Sequence, residues 1–487
     1  EDELLRSVID LTSDEAIEIQ REIRVKEVES VERVLKNYFR QCSILVTCDY
    51  LANAAAVLAN DGIRPKCNLQ DSGKRILKAN NVKTVIALMS SCGMYDGSGQ
   101  FAHDVGIPGK SGVGGGIMCV VPGKLGIATY APPLDEQGNS VRGLYMLKKL
   151  SEDYSWSLFS NKNSPLPLTK YGTSLALDKL TQHVRSHVVP LPNECKKEDY
   201  IPELRAQNAH NVGIALYRVI DDKIEKPLIG GSSGVKFTMQ SISTLFALMY
   251  TLMYHDEQLV FECVGKEPSG EPFNVLKWKD LKANVQPQIP FNPMINAGAI
   301  LISTMVPESF QIKKRYSIST KELLEVDETV KEDKDSEPTT KLLEIDHFLT
   351  FVRQMCGNDD IQVNAQVYES ERNTGYKNRS LAWEMNDRHV FDKLMRQHGL
   401  TVDASIIEDI LSVYFRLCSI EVDCIDLARA GTIIANQGYD PDRKEFLITP
   451  RIATITTSMM SGTGLFDGSG EFANAVGIPA KSGVSGG

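Results

Sequence analysis

One stretch occurs twice in this chain, and the repetition restricts its architecture more than any other feature. Val105-Gly106-Ile107-Pro108-Gly109-Lys110-Ser111-Gly112-Val113 recurs as Val476-Gly477-Ile478-Pro479-Ala480-Lys481-Ser482-Gly483-Val484, each copy preceded by Asp-Gly-Ser-Gly and a Phe-Ala pair. Upstream, Tyr38-Phe39-Arg40-Gln41-Cys42-Ser43-Ile44 returns as Tyr414-Phe415-Arg416-Leu417-Cys418-Ser419-Ile420. The offset is 376 at the tyrosines and 371 at Val113 and Val484. The difference falls in the turn around Cys67 to Lys74, where a short insertion is cheap. Tandem copies of one domain type follow.

The copies are cut differently. In copy one, apolar residues from Leu4 to Leu11 and from Val31 to Phe39 have helical spacing, and the Ala-rich run Leu51 to Ala59 reads as a buried helix stopped by Gly62. Beyond its Lys-Ser-Gly, Ile117 to Val121 and Leu125 to Tyr130 read as strands, Pro132-Pro133 as a turn, and Val141 to about Leu150 as a helix. A Ser, Asn and Pro cluster from Ser160 to Pro167 reads as a linker. In copy two, Val212 to Ile220 and Lys226 to Ile229 read as strands and Ser241 to Tyr254 as a strongly apolar helix, while the charged insert Lys313 to Glu344 reads as a solvated loop. Copy two reaches Gly487 without the last strands and helix that copy one displays. The expected division is therefore 1–160, the C-terminal half of a domain, and 161–487, a domain lacking its last strands and helix, together a piece of a longer tandem protein. Two packings stay open: strands 110–131 of copy one could complete a sheet with strands 212–229 of copy two, or copy two could close on its own 476–487.

Lys-Ser-Gly leading into an apolar strand is one of the signatures of serine acyl-transfer enzymes, which pair it with Ser-x-x-Lys upstream. The serine sits at a helix N-terminus, where the macrodipole favours a developing alkoxide, and a desolvated lysine one turn on takes its proton. Here the four residues are Ser241-Ile242-Ser243-Thr244, with the lysine missing. Taken alone, Ser241 reads first as a helix N-cap. Gly230-Gly231-Ser232-Ser233-Gly234 matches a Gly-x-Ser-x-Gly elbow, but an extended stretch and not a helix follows it.

Other chemistries are excluded by composition. The chain has a net charge of −10 and no basic stripe, which argues against a nucleic-acid partner, and no apolar run long enough for a membrane helix. Its 10 cysteines are scattered, with no Cys-x-x-Cys and no His beside a pair, which gives no metal site and suits a reducing compartment. The sequence begins at Glu1, so any targeting segment was removed or is not included; the expected location is intracellular, cytoplasmic or the mitochondrial matrix.

Several ordered strings resemble one family closely: Tyr200-Ile201-Pro202-Glu203-Leu204, Met239-Gln240-Ser241-Ile242-Ser243, Val264 to Gly270, Asn292 to Ile300, Glu369-Ser370-Glu371-Arg372 with Asn378, Tyr414 to Ser419, and the Lys-Ser-Gly strand. By these the chain is identified as a member of the serine-dependent glutaminases, with 28–160 resembling the family's C-terminal half. The resemblance implies an α+β, β-lactamase-like fold, an antiparallel sheet with flanking helices plus a helical region, here partially duplicated. It implies hydrolysis of L-glutamine to L-glutamate and ammonia without a cofactor, in a homo-oligomer. Ser241 would be the nucleophile, its backbone N–H and that of Val484 the oxyanion donors, and Tyr414 a further member of the catalytic set; Tyr200, Gln240, Asn296, Glu371 and Asn378 would hold substrate. Tyr38, Tyr95 and Val113 are the copy-one equivalents. An α-ammonium wants a carboxylate such as Glu371, and an α-carboxylate wants amide and hydroxyl donors. Two departures stand out: Thr244 occupies the lysine position, and Gly464-Leu465-Phe466 replaces the tyrosine string that copy one keeps as Cys92-Gly93-Met94-Tyr95. The expectation is impaired hydrolysis, the alternative a non-catalytic glutamine-binding or structural pseudoenzyme.

Overall fold

Local sequence signals set the helices, and where the two copies overlap they form the same ones. A computed structural model describes residues 31, 33–65, 73–132, 134–159, 173–187, 200–208, 211–220, 223–275, 278–279, 289–306, 345–397 and 402–487. In copy one, α1 (33–42) leads to α2 (Cys48–Ala59), whose first turn is capped by the Thr47 hydroxyl accepting from the Tyr50 N–H. Gly62 has φ +80°, and a Cβ there would lie 2.4 Å from Leu77 O, so glycine alone allows this turn. Then come α3 (Ala79–Cys92) and α4 (Ser98–Asp104). Strands β1 (Gly109–Ser111), β2 (Gly116–Val121) and β3 (Leu125–Tyr130) form one antiparallel sheet in that order. Helix α5 (Val141–Tyr154), N-capped by Ser140, buries Leu147 against Val105, Ile107, Ile117, Cys119 and Val121. It runs past the expected end near Leu150 to Ser155, which closes it in the left-handed region at φ 51°. On the other side, Ala55, Leu58 and Ala59 of α2 cluster with Val120.

Copy two opens with α6 (Ser174–His187), against which the antiparallel pair β4 (Gly213–Leu216) and β5 (Leu228–Gly231) packs. The expected single strand to Ile220 is broken at Leu216, and Val219–Ile220 pairs instead with Lys223–Ile224. After β6 (Phe237–Thr238) and a 3-10 turn, Gln240–Ile242, comes α7 (Ser243–Tyr254), apolar on every side and therefore surrounded. Around it lie α8 (Glu257–Cys263), α9 (Asn296–Thr304) and α10 (Asp346–Cys356). After β7 (Gln362–Val363) follow α11 (Ala365–Thr374), α12 (Tyr376–Asp387) and α13 (Ala404–Cys418). Strand β8 (Ile420–Val422) precedes α14 (Cys424–Ala435), α15 (Pro450–Thr463) and α16 (Ser469–Ala475). Phe246, Leu248, Ile300, Phe348, Leu411 and Phe415 belong to one core that spans these helices. The architecture is α+β as expected, and every strand pairing among the described residues is antiparallel. The 110–131 strands and the 212–229 strands form separate sheets, so the composite sheet is not made within this chain. The linker at 160–167, the insert at 313–344 and the helical pattern at 4–11 lie outside the described residues.

The copies differ where a strand needs a partner. Ile420 is fully buried in β8, which pairs with β6 and β7. Its equivalent Ile44 lies in no strand and is 66% exposed, because copy one has no counterpart of β6 or β7. Conversely, β1 pairs with β2, while 480–482 pair with no strand among the described residues and Val476 is 48% exposed where Val105 is 3%.

Helix α9 fixes the loop before it. Gly298 faces Asn292, and a Cβ on it would lie 1.9 Å from Asn292 O, while Asn292 donates through Nδ2 to Glu267 O at 2.8 Å. Gly298→Ala gains about 1 kcal/mol of helix propensity but forces backbone apart, at about 1–3 kcal/mol or more. Net destabilisation with a displaced Asn296 is expected; a urea midpoint unchanged or raised would contradict this packing.

Candidate active site

The turn that presents Ser241 is strained. Gln240 is buried with φ +47°, a region that a branched or long side chain adopts only when its surroundings insist. Its Nε2 lies 3.3 Å from Thr238 Oγ1, and Tyr200 Oη lies 3.2 Å from its Oε1. Ser241 follows in the 3-10 turn, also buried, and α7 begins two residues after the expected start. The cap position of α7 is Ile242, without a side-chain hydrogen bond, so Ser241 is not the N-cap of this helix. Thr244 is buried, donates from Oγ1 to Ser241 O at 2.8 Å and lies 3.6 Å from Met294 Sδ. Where a Ser-x-x-Lys pair would place an amine there is a hydroxyl satisfied by its own helix.

Carboxylate and hydroxyl groups gather beside this turn. Glu371 of α11 is buried, and Tyr200 Oη lies 2.5 Å from its Oε1, so the single phenol proton goes to the carboxylate and not to Gln240. Burial pushes the Glu371 carboxyl up, and the hydrogen bonds from Tyr200 and Gln240 oppose that rise without cancelling it. Tyr414 of α13 lies near Glu371 and hydrogen-bonds the Cys418 thiol; burial raises the phenol well above its ordinary value. Cys418 also interacts with Ser243, and burial pushes its thiol up to about 12. Asn296, at the start of α9, donates to Asn378 Oδ1 of α12 at 3.0 Å, which ties the two candidate substrate amides together.

The second Lys-Ser-Gly closes this side. Ser485 donates to Thr238 O at 2.5 Å, and a Cβ on Gly483 would lie 2.6 Å from Met239 O, so the segment runs directly against the residues before Ser241. Val484 packs on Ile201, Leu204 and Val367. Lys481 is the residue that sequence reasoning quoted in the motif but gave no role. Its Nζ donates to Ser482 O at 2.7 Å and lies 4.2 Å from the centre of the Phe466 ring. Burial lowers its pKa to about 7. Phe466 has φ 57° and its equivalent Tyr95 φ 53°, so both copies keep the same rare backbone at this aromatic. In copy one, Lys110 Nζ lies 4.2 Å from the Tyr95 ring centre, and Tyr95 Oη donates to Ser111 O at 3.1 Å. Phe466 has no hydroxyl to repeat that bond.

Tyr38, Tyr95 and Val113 differ in environment from Ser241, which is buried. Tyr38 interacts with Cys42, as Tyr414 does with Cys418, and with Tyr95, but all three equivalents are exposed, Val113 at 72%. Among the described residues, no cluster of three or more His, Cys, Asp or Glu is arranged to hold a metal ion.

The Glutaminase family model matches residues 16–159 and 196–487. The Glutaminase of Bacillus cytotoxicus is 36% identical over 301 residues, spanning 62% of this chain and 81% of that protein. That of Clostridium botulinum is 36% identical over 295 residues, spanning 61% and 81%. Among solved structures, a Bacillus glutaminase crystallised in the presence of 4.3 M NaCl is 26% identical, with 64% of this chain and 82% of that chain covered and a TM-score of 0.47. The same identity, coverages and score hold for the covalent complex between Bacillus subtilis glutaminase and 5-oxo-L-norleucine. A family match that takes in both copies, together with relatives covered over most of their own length, establishes that this chain belongs to the glutaminase family.

Proposed function

We propose that copy two binds L-glutamine at the Ser241 turn and hydrolyses it to L-glutamate and ammonia through a serine nucleophile, at a rate cut by Thr244 and Phe466. The observation that carries this reading is the strained Gln240, which holds Ser241 next to the Tyr200–Glu371 pair, whose carboxylate is buried. Glu371 meets the α-ammonium, and the Asn296–Asn378 pair offers amide donors to the α-carboxylate. Ser241 Oγ attacks the side-chain amide carbon. The backbone N–H groups of Ser241 and Val484 receive the oxyanion, the C–N bond breaks, and the nitrogen leaves as ammonia with the proton taken from the serine. Water then cleaves the acyl-enzyme. With a threonine in the lysine position, the proton acceptor we assign is Lys481, a half-buried amine on the segment packed against 238–242 whose pKa near 7 leaves much of it neutral at neutral pH. One observation favours a second reading, a glutamine-binding protein without turnover: the Thr244 hydroxyl is already committed to Ser241 O.

Glutamine titration by calorimetry with simultaneous ammonia detection separates the two readings, since the binder releases none. Thr244→Lys with Phe466→Tyr is expected to raise turnover by about 10²–10⁴-fold, the usual effect of a general base. No gain in double-variant protein that still binds glutamine would rule out these two positions as the cause of the deficit.

Glu371→Gln keeps the shape but removes the charge facing the ammonium. Glutamine binding should weaken about 10–100-fold, the effect of losing one charge-assisted hydrogen bond; an unchanged Kd would remove Glu371 from the substrate contacts.

The Lys481 amine has a lower pKa in the folded protein than in the unfolded chain, so between pH 7 and about 10 the unfolded state binds more protons and stability rises with pH. Below pH 7 the full penalty of holding a half-buried ammonium remains. The difference in urea midpoint between Lys481→Met and the parent should therefore be largest, in favour of the variant, at pH 7 and below, and should shrink toward pH 10. A difference independent of pH would show that Lys481 is charged throughout.

A further inference from the structure

The two copies meet through equivalent helices. By the repeat alignment α3 corresponds to α15 and α4 to α16, with matching ends. In the structure α4 packs on α15 while α3 packs on α16, and α3 also touches α15. Exchanging the copies maps each of the first two contacts onto the other and the third onto itself. That reciprocity is the mark of an isologous, two-fold interface. Ser90 of α3 and its equivalent Ser461 of α15 line one small cavity, as do Ser91 and Gly462, so the pseudo-axis passes between these helices.

Specific bonds across the interface are not reciprocal. The N–H groups of Gly99 and Gln100 at the start of α4 donate to the Glu267 carboxylate at 2.7 and 3.1 Å, and a Cβ on Gly99 would lie 2.0 Å from Lys266 O. His103, buried, has Nδ1 2.8 Å from Asp104 and Nε2 3.0 Å from Glu257, to which Arg451 of α15 also donates. Copy two has Asn474 and Ala475 where copy one has His103 and Asp104, and copy one has Asn80 where copy two has Arg451.

We propose that the α15–α16 face of copy two is a self-complementary dimer surface that copy one occupies within the same chain, as a tethered stand-in for a second copy-two domain, favoured by the His103–Glu257–Arg451 cluster. The inference is independent of the reaction assigned above. It commits the face to one occupant, copy one in cis, and makes a second chain its competitor. A tether holds copy one at an effective concentration that a separate chain at micromolar levels does not match.

Hydrogen exchange on the full chain at two concentrations about 100-fold apart tests the cis contact. The Gly99 and Gln100 amides are expected to be protected to the same degree at both. Protection that falls with dilution, or is missing at the higher concentration, overturns the proposal. Gly99→Leu with Asp104→Lys wedges and repels copy one while leaving every residue of the copy-two face unchanged. Native mass spectrometry is then expected to show the parent as a monomer through this face and the variant as a concentration-dependent dimer with slowed exchange at α15 and α16. A variant that exposes α15 and α16 yet stays monomeric at high concentration, with exchange in α7 and α9 unchanged to show that copy two is folded, overturns the self-complementary surface.

Discussion

The site depends on one short pairing. Strand β8 lies between β6 and β7, with Glu421 opposite Thr238 and Val422 opposite Phe237, and Met239 donates to Ile420 O at 2.8 Å. This ladder joins the half of copy two that carries Ser241 to the half that carries Tyr414. It sets the start of α7 against the end of α13, and so decides that Ser243, Cys418 and Tyr414 are neighbours. Phe237 and Ile242 then provide the surface on which Gly483 and Gly487 come to rest. A few backbone hydrogen bonds thus specify the register of a site whose side chains come from residues far apart in sequence.

Helices were legible in the sequence because their signals are local: the Ala-rich run, Gly62, and the apolar run 241–254 all gave elements, the last beginning two residues later than expected. Strand outcomes were less legible, since Tyr-Phe-Arg-x-Cys-Ser-Ile is nearly the same string in both copies yet precedes a strand only where β6 and β7 exist. The composite sheet failed as an expectation for a related reason. Copy one's β2 and β3 already have both faces served, by α2 and by α5, and so have no apolar face left for β4 and β5. Residues drawn from family strings, such as Glu371 and Tyr200, meet in space. Lys481 was overlooked because burial, which changes its proton affinity, has no sequence signature, and the same holds for His103.

Thr244 and Phe466 alter the site in different ways. Thr244 replaces an expected cation with a small group that bonds its own helix, so the surrounding core stays packed around Met294. Phe466 keeps the strained backbone and the lysine contact and loses only a hydroxyl. Neither change disturbs the framework that positions Ser241, and the Tyr200–Glu371 hydrogen bond involves neither residue.

The cysteines divide the molecule into two kinds of thiol chemistry. Among the described residues, Cys42, Cys48 and Cys92 of copy one are exposed and Cys119 is buried, whereas Cys263, Cys356 and Cys418 of copy two are buried and Cys424 is half-buried. Burial drives the copy-two thiols up, Cys263 to about 11 and Cys418 to about 12, so that almost no thiolate is present at neutral pH. Cys42 and Cys418 are the same residue of the repeat, one open to solvent and the other sealed beside Tyr414. An oxidant or alkylating agent added to the native protein would therefore reach Cys42, Cys48 and Cys92 before Cys418, the thiol sealed beside Tyr414.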